Sequence, residues 1–305
     1  MNQGTRGVVT LIQKRHASLF GNLGSSVSKI VPKPHEYFKI TRPFGFEKPP
    51  IHKNDIPTEK WFSLEKLNFP KRLWNFYFDG ITRRTKVAAL QKEMAYGGMY
   101  DFHVFMRTKG KLFQAPISFF RKDKALYFPN FTTRTLDDKN VELMDVLSKN
   151  KITILRVVST ESGVETTEDY FKVPKSEENY LTEAGLKQLH QEFPNTQIVQ
   201  LTLSDRWSKH FVHTFVTPAK LRKTLPEELH SRYLVAFRDK VLDRDSRERL
   251  LMTNTYSGYV YLIDDQFKIR WAGSGLPEPK EVSGLWKAVA GLERESGLKI
   301  ASRKK

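Results

Sequence analysis

The sequence predicts an α/β fold in which two buried strands are joined through a helix and followed by a hairpin and a closing helix. Three observations predict it. Ile152–Val158 is a β-branched, predominantly apolar run broken by Thr153 and Arg156, the pattern of a strand covered on both faces. A second run, residues 198–203, follows a helix-period segment (Leu186, Leu189, Phe193) that Pro194-Asn195 closes. Beyond these, Tyr259–Ile263 and residues 268–271 flank Asp264-Asp265-Gln266-Phe267, a hairpin signal.

Taken from the start of the chain, residues 1–30 read as a mitochondrial transit peptide. From Met1 to His35 there are basic residues (Arg6, Lys14, Arg15, Lys29, Lys33) and no acidic one before Glu36. Val8, Val9, Leu11 and Ile12 form the apolar side of a short amphipathic helix. Arg15-His16-Ala17-Ser18 resembles a matrix-protease site with arginine two before the cut. A basic disordered tail is the plain alternative.

Residues 31–120 divide into an arm and a helical extension. Pro32, Pro34, Pro43, Pro49, Pro50 and Pro57 make residues 31–60 an extended connector or binding arm. Val87, Leu90 and Met94 recur at helical spacing, and Gly97-Gly98 interrupts them. Residues 61–115 are basic and rich in aromatics (Trp61, Phe62, Trp74, Phe76, Tyr77, Phe78, Tyr100, Phe102, Phe105). Residues 121–300 hold the strands described above. A loop or short helix is expected over residues 161–171, and an aromatic-faced helix over Trp207, Phe211 and Phe215. Residues 218–253 read as an insertion with short helices near 226–230 and 244–251. Val282, Leu285, Trp286, Val289 and Leu292 form the amphipathic last helix, entered through Pro277-Glu278-Pro279. Strand, helix, strand, helix, insertion, hairpin, helix is the thioredoxin-like (peroxiredoxin-like) order.

Composition narrows the chemistry. The 305 residues contain no cysteine, which excludes disulfides, thiolate nucleophiles, Cys-ligated zinc and iron–sulfur clusters. In thioredoxin-like enzymes the reactive thiol stands at the helix start after the first central strand, where the helix dipole lowers its pKa. Here that stretch is Ser159-Thr160-Glu161-Ser162-Gly163-Val164-Glu165, and Tyr256-Ser257-Gly258 occupies the usual cis-proline position before the hairpin. Redox catalysis is therefore ruled out. His210 and His213 are spaced to chelate a metal but lack an evident third ligand, so no metal and no cofactor are expected. Gly273-Ser274-Gly275 lacks the spacing of a nucleophile elbow, leaving a hydrolase using Ser274 as a distant alternative. The chain is expected not to be an enzyme.

The net charge of +17 is uneven: 16 Lys or Arg against 6 Asp or Glu up to residue 90, and 35 against 28 beyond it. An anionic membrane, a nucleic acid or an acidic protein would each answer that charge. No window approaches the roughly 20 apolar residues that span a bilayer, so the chain is expected not to cross a membrane, which leaves a position against one open.

Several blocks together resemble the fungal mitochondrial ATPase complex assembly factor 10 family. They are Arg42-Pro43-Phe44-Gly45 with Pro49-Pro50, Lys124-Ala125-Leu126-Tyr127-Phe128-Pro129-Asn130, Gly258-Tyr259-Val260-Tyr261-Leu262-Ile263-Asp264 and Ile269-Arg270-Trp271-Ala272-Gly273-Ser274-Gly275. The resemblance implies a peroxiredoxin-like fold without known catalysis, peripheral on the matrix side of the mitochondrial inner membrane. It implies a chaperone for the membrane sector of ATP synthase that binds newly made subunit a and brings it to the c-subunit ring. Within that reading Arg42, Phe44, Phe128, Asn130 and Arg270 are expected to face the partner, with a structural role for Arg270 and Trp271 as the alternative. No nucleic acid is expected. The rival reading is an RNA- or mitoribosome-binding module of the matrix, suggested by basic residues interleaved with aromatics in 61–115.

Overall fold

The computed structural model describes residues 38–52, 98–173, 178–204, 222, 225–295 and 297. The chain forms two compact units, one of residues 1–35 and 68–100 and one of 36–67 and 101–305. The described structure is almost wholly the second unit.

That unit opens with strand β1 (Phe38–Lys39), then helix α1 (Gly98–Thr108), which belongs to it from Asp101 on, and strand β2 (Phe113–Gln114), which pairs in parallel with β1. A short hairpin, β3 (Thr132–Thr135) and β4 (Asn140–Glu142), leads into α2 (Leu143–Leu147). Strand β5 (Ile152–Val158) follows, then α3 (Glu161–Glu168), a 3-10 turn at Asp169–Phe171, α4 (Glu183–Glu192) and strand β6 (Thr196–Ser204). After α5 (Glu227–His230) come strand β7 (Tyr233–Phe237) and the short helices α6 (Arg238–Val241) and α7 (Arg244–Arg249). The hairpin β8 (Tyr259–Ile263) and β9 (Ile269–Ser274) and the helix α8 (Pro279–Glu295) complete it.

Seven strands form one sheet in the order β4-β3-β7-β6-β5-β8-β9. Strand β5 lies inside the sheet, parallel to β6 and antiparallel to β8, and β6, the middle strand, continues in parallel to β7. The run β6-β5-β8-β9 is the thioredoxin-like order: a parallel pair joined through helices, then an antiparallel hairpin added beside the first strand. All residues of β5, β6, β8 and β9 are buried. That coverage explains why β8 reads as an unbroken apolar run and why the polar members of the others, such as Arg156, Gln197 and Arg270, carry buried hydrogen-bond partners.

Helix α8 covers one face. Leu285, Trp286, Val289 and Leu292 recur at helical spacing and pack on Ile152, Ile154, Tyr170 and Trp271. Two indole N–H groups are satisfied within this core, Trp286 to the Tyr170 carbonyl at 3.0 Å and Trp271 to the Pro116 carbonyl at 3.1 Å. The end of α8 is fastened by charge. Glu293 accepts from the Thr196 hydroxyl at 2.9 Å, and Glu295 accepts from Arg270 at 2.6 Å. At its start Glu281 accepts from Lys111 Nζ at 2.6 Å and from the Ala115 N–H at 2.9 Å. Among the described residues, no helix is long and apolar enough to cross a membrane.

Two parts of the sequence reading are corrected. Residues 218–253 are not merely an insertion, because Tyr233–Phe237 lies within the sheet between β6 and β3. Residues 38–52 are not a free connector, because they are hydrogen-bonded to the domain. The Ile40 N–H donates to the Gln114 carbonyl, and Phe46 and Tyr127 exchange backbone bonds of 2.9 and 2.8 Å. Residues 38–52 and 101–120 thus belong to the same compact unit as the thioredoxin-like sheet, although the sequence placed its start at 121. The transit segment 1–30, the basic aromatic stretch 61–97 and the helix expected around Trp207, with His210 and His213, lie outside the described residues.

Candidate functional site

The position that carries chemistry in this fold is the start of α3, immediately after β5. Thr160, in extended backbone, caps that start, its hydroxyl accepting from the Gly163 N–H at 3.3 Å. The same hydroxyl lies 2.9 Å from Ser162 Oγ, and both hydroxyls donate toward the Tyr256 carbonyl, Ser162 at 3.1 Å and Thr160 at 3.3 Å. The loop before the hairpin is therefore bound to the helix start by hydroxyls. Backbone meets backbone here: a Cβ on Gly163 would lie 3.2 Å from the Gly258 nitrogen, and one on Gly258 would overlap the Gly163 carbonyl oxygen. This arrangement positions two segments against each other. Among the described residues the hydrogen-bond partners of the two hydroxyls are each other, the Gly163 N–H and the Tyr256 carbonyl.

Behind it, Arg156 of β5 points into the space between sheet and α3. Its guanidinium donates to Thr167 Oγ1 at 2.9 Å, to Gln200 Oε1 at 3.4 Å and to the Val164 carbonyl, and stacks 5.3 Å from the Phe171 ring. Burial lowers its pKa to about 10, while the nearby charge of Glu168 works in the opposite sense. Arg156 ties α3 down onto the sheet, a role that the apolar neighbours of this residue in the sequence concealed.

On the outer side of the Tyr256 loop lies α1. Phe102 meets the Tyr256 ring edge-on at 5.6 Å, and Phe105 lies 6.2 Å from it. The Asp101 carboxylate accepts from the Thr255 N–H at 3.0 Å, and the Asp101 carbonyl accepts from Asn254 Nδ2 at 2.8 Å. Helix α1, expected as part of a helical extension, is thus anchored beside the position of the missing thiol.

The five residues expected to face a partner do not form one surface. Arg42 is exposed. Phe44 is half-buried, its ring 6.5 Å from that of Phe120 and 6.3 Å from that of Tyr261. Asn130 is partly covered and fully engaged: its amide donates to Glu142 at 2.6 Å and to the Ile51 carbonyl at 3.0 Å, and its oxygen accepts from the Met144 N–H at 3.1 Å. Two expectations of surface position are corrected. Phe128 is 1% exposed, packed edge-on against Tyr261 at 5.5 Å, with its N–H bonded to the Phe267 carbonyl. Arg270 is also 1% exposed and donates to Asp264 at 3.1 Å, Glu295 at 2.6 Å and the Phe120 carbonyl at 2.6 Å. It joins the hairpin turn, the 120s loop and the end of α8, the structural alternative raised for it. Ser274 is fully buried and accepts from the Leu112 and Phe113 N–H groups at 3.0 and 3.2 Å, so its hydroxyl splices β9 to the start of β2. Among the described residues, no three His, Asp or Glu side chains stand together as a metal would require.

A family model described as ATP10 protein matches residues 25–292. The Mitochondrial ATPase complex subunit ATP10 of Candida glabrata is 32% identical over 267 residues, covering 87% of this chain and 88% of that one. The protein of that name from Saccharomyces cerevisiae is 31% identical over 259 residues, covering 84% of this chain and 87% of its own length. Among solved structures, the thioredoxin domain of a thiol-disulfide oxidoreductase from Bacteroides vulgatus is 15% identical with a TM-score of 0.34, covering 53% of this chain and 95% of that one. The fold assignment rests on the strand order.

Proposed function

The chain belongs to the ATP10 protein family, and from that premise we propose that it is a non-catalytic assembly chaperone for the membrane sector of mitochondrial ATP synthase. It binds newly made subunit a and promotes its association with the c-subunit ring. It enters the mitochondrion with residues 1–30 as a transit peptide and works as a peripheral protein on the matrix side of the inner membrane. The observation that carries the reading is the family match across residues 25–292, alongside relatives named for the mitochondrial ATPase complex. The helix start supports it: where a thioredoxin-like enzyme needs a thiol, Thr160 and Ser162 bind the Tyr256 carbonyl. A membrane subunit with few but necessary intramembrane charges needs a holder until its partner ring is ready, and a fold without turnover suits that task.

The experiment is capture of the tagged protein from mitochondria that are synthesising radiolabelled, organelle-encoded polypeptides. Subunit a is the expected captured product, and deletion of the gene is expected to abolish oligomycin-sensitive ATPase while ATP hydrolysis by the catalytic head persists. Recovery of ribosomal RNA without any ATP synthase subunit would overturn the reading in favour of the ribosome-binding one.

A further inference from the structure

Helix α1 has one face turned to the domain and one turned away. Asp101, Val104 and Thr108 are buried, and Asp101 is the only carboxylate of the helix. Phe102 and Met106, one turn apart, are 43% and 62% exposed. At 3.6 residues per turn these two lie about 40° apart around the helix axis, and His103 and Arg107 form a second exposed stripe about 100° from them. Lys109, just past the helix end, is exposed as well. Tyr256 links Phe102 to α3, its ring packed on Phe102 and its carbonyl bound by Ser162, and α3 itself carries the exposed Glu161 and Glu165.

Large apolar side chains beside exposed cations, with the one carboxylate turned inward, are the pattern of a helix that rests on an anionic bilayer. We infer that α1 is the membrane-facing element of this protein. Phe102 and Met106 enter the headgroup boundary, and Arg107 and Lys109 meet lipid phosphates. Charge decides the occupant: an apolar polypeptide segment would be served by Phe102 and Met106 alone, whereas an anionic leaflet also answers the flanking cations. The inference rests on the reading above for placing the chain at a membrane. Its geometry also sets the fold's orientation, with the closed helix start of α3 and the Tyr256 loop beside the lipid surface.

The test is flotation of the full chain with vesicles of phosphatidylcholine alone or mixed with phosphatidylglycerol. Binding is expected only to the mixed vesicles and falls as salt rises. R107Q/K109Q is expected to weaken it about 25-fold, roughly five-fold for each cation removed. K287Q/R294Q removes the same charge from exposed positions of α8 and is expected to leave binding within about two-fold of the parent. F102S/M106S, at unchanged net charge, is expected to weaken it roughly ten-fold or more. Thermal melting of each variant establishes that it is folded. Equal losses in the two charge variants, full binding by F102S/M106S, or no binding to mixed vesicles would each overturn the inference. Loss of captured polypeptide by F102S/M106S with vesicle binding intact would assign the face to a protein instead. ATP synthase assembly is scored separately in cells, so either idea can fail without the other.

Discussion

The Ser162 hydroxyl donates a 3.1 Å hydrogen bond to the Tyr256 carbonyl, across 94 residues of chain, and so closes the place where this fold elsewhere keeps its reactive group. Thr160 donates to the same oxygen while capping α3. Two side chains that sequence logic regards as poor nucleophiles are therefore employed as fasteners.

Thr160→Ala removes the cap and one of the two links to the Tyr256 loop. It is expected to destabilise the domain by about 1–2 kcal/mol, read as a lower urea midpoint at unchanged slope. Ser162→Ala should cost less, about 1 kcal/mol, because Thr160 still holds the shared acceptor. The pair should be non-additive, since both donors converge on one oxygen. Strict additivity would mean that the two hydroxyls hold the loop independently of each other.

Gly258→Ala tests the close approach of the loop to α3. The new methyl group would overlap the Gly163 carbonyl oxygen, which is backbone and has little freedom to move. A loss of about 1–3 kcal/mol is expected. Gly284→Ala, where nothing lies within 4 Å of the added carbon, is the matched control and should be stabilising by up to about 1 kcal/mol in its helix. Equal effects of the two would remove the packing explanation.

Phe128→Ala and Arg270→Ala should behave as core mutations, and Arg42→Glu as a surface one. Truncating Phe128 opens a cavity against Tyr261 and is expected to cost about 3–5 kcal/mol. Removing Arg270 leaves the buried Asp264 carboxylate without its cation, at a similar cost of about 3–5 kcal/mol. Arg42→Glu should stay within about 0.5 kcal/mol of the parent, so any loss of captured polypeptide would report contact and not folding. A partner-facing Arg270 would show the reverse: normal melting and lost capture.

Alkaline stability should break at the tyrosines. Burial raises the pKa of Tyr170, Tyr259 and Tyr261 above the usual phenol value of 10, with Glu281 and Glu278 adding to the effect at Tyr170. A group whose folded pKa is raised stabilises the fold fully below its unfolded pKa and loses that contribution as pH rises. Unfolding should therefore become progressively easier above about pH 10, where the unfolded chain ionises and the buried phenols cannot. Absorbance near the tyrosinate band should show exposed tyrosines ionising first, and the buried set only together with loss of structure. Tyr261→Phe, which also removes the 2.7 Å bond to the Leu250 carbonyl, should flatten part of that dependence.

Much of the sheet was legible because burial on both faces leaves a local mark. Strands β5, β6, β8 and β9 read as segments rich in β-branched and apolar residues, and α4 and α8 as helical periods. Strand β7 was missed: Tyr233–Phe237 is five residues long and lies between helical segments without a glycine or proline beside it, so length and flanks could not identify it. Of the candidate site, the absence of a thiol and the location of the helix start were readable, since both follow from residue identity and element order. The hydroxyl fastening was not, because Tyr256 is distant in sequence and uses only its carbonyl, which every residue has.

By itself the sequence determined the order of the central elements, the exclusion of cysteine chemistry, and the family resemblance through blocks such as 258–264 and 269–275. Tertiary structure alone decided which members of those blocks reach the surface. Phe128 sits beside a proline and an asparagine that suggest an exposed turn, yet Tyr261 covers it. Arg270 carries a charge that composition assigns to solvent, yet Asp264 and Glu295 converge on it. Burial of a polar or turn-flanked residue depends on partners brought in from elsewhere in the chain. Local pattern records only what a residue is, and folding settles what surrounds it.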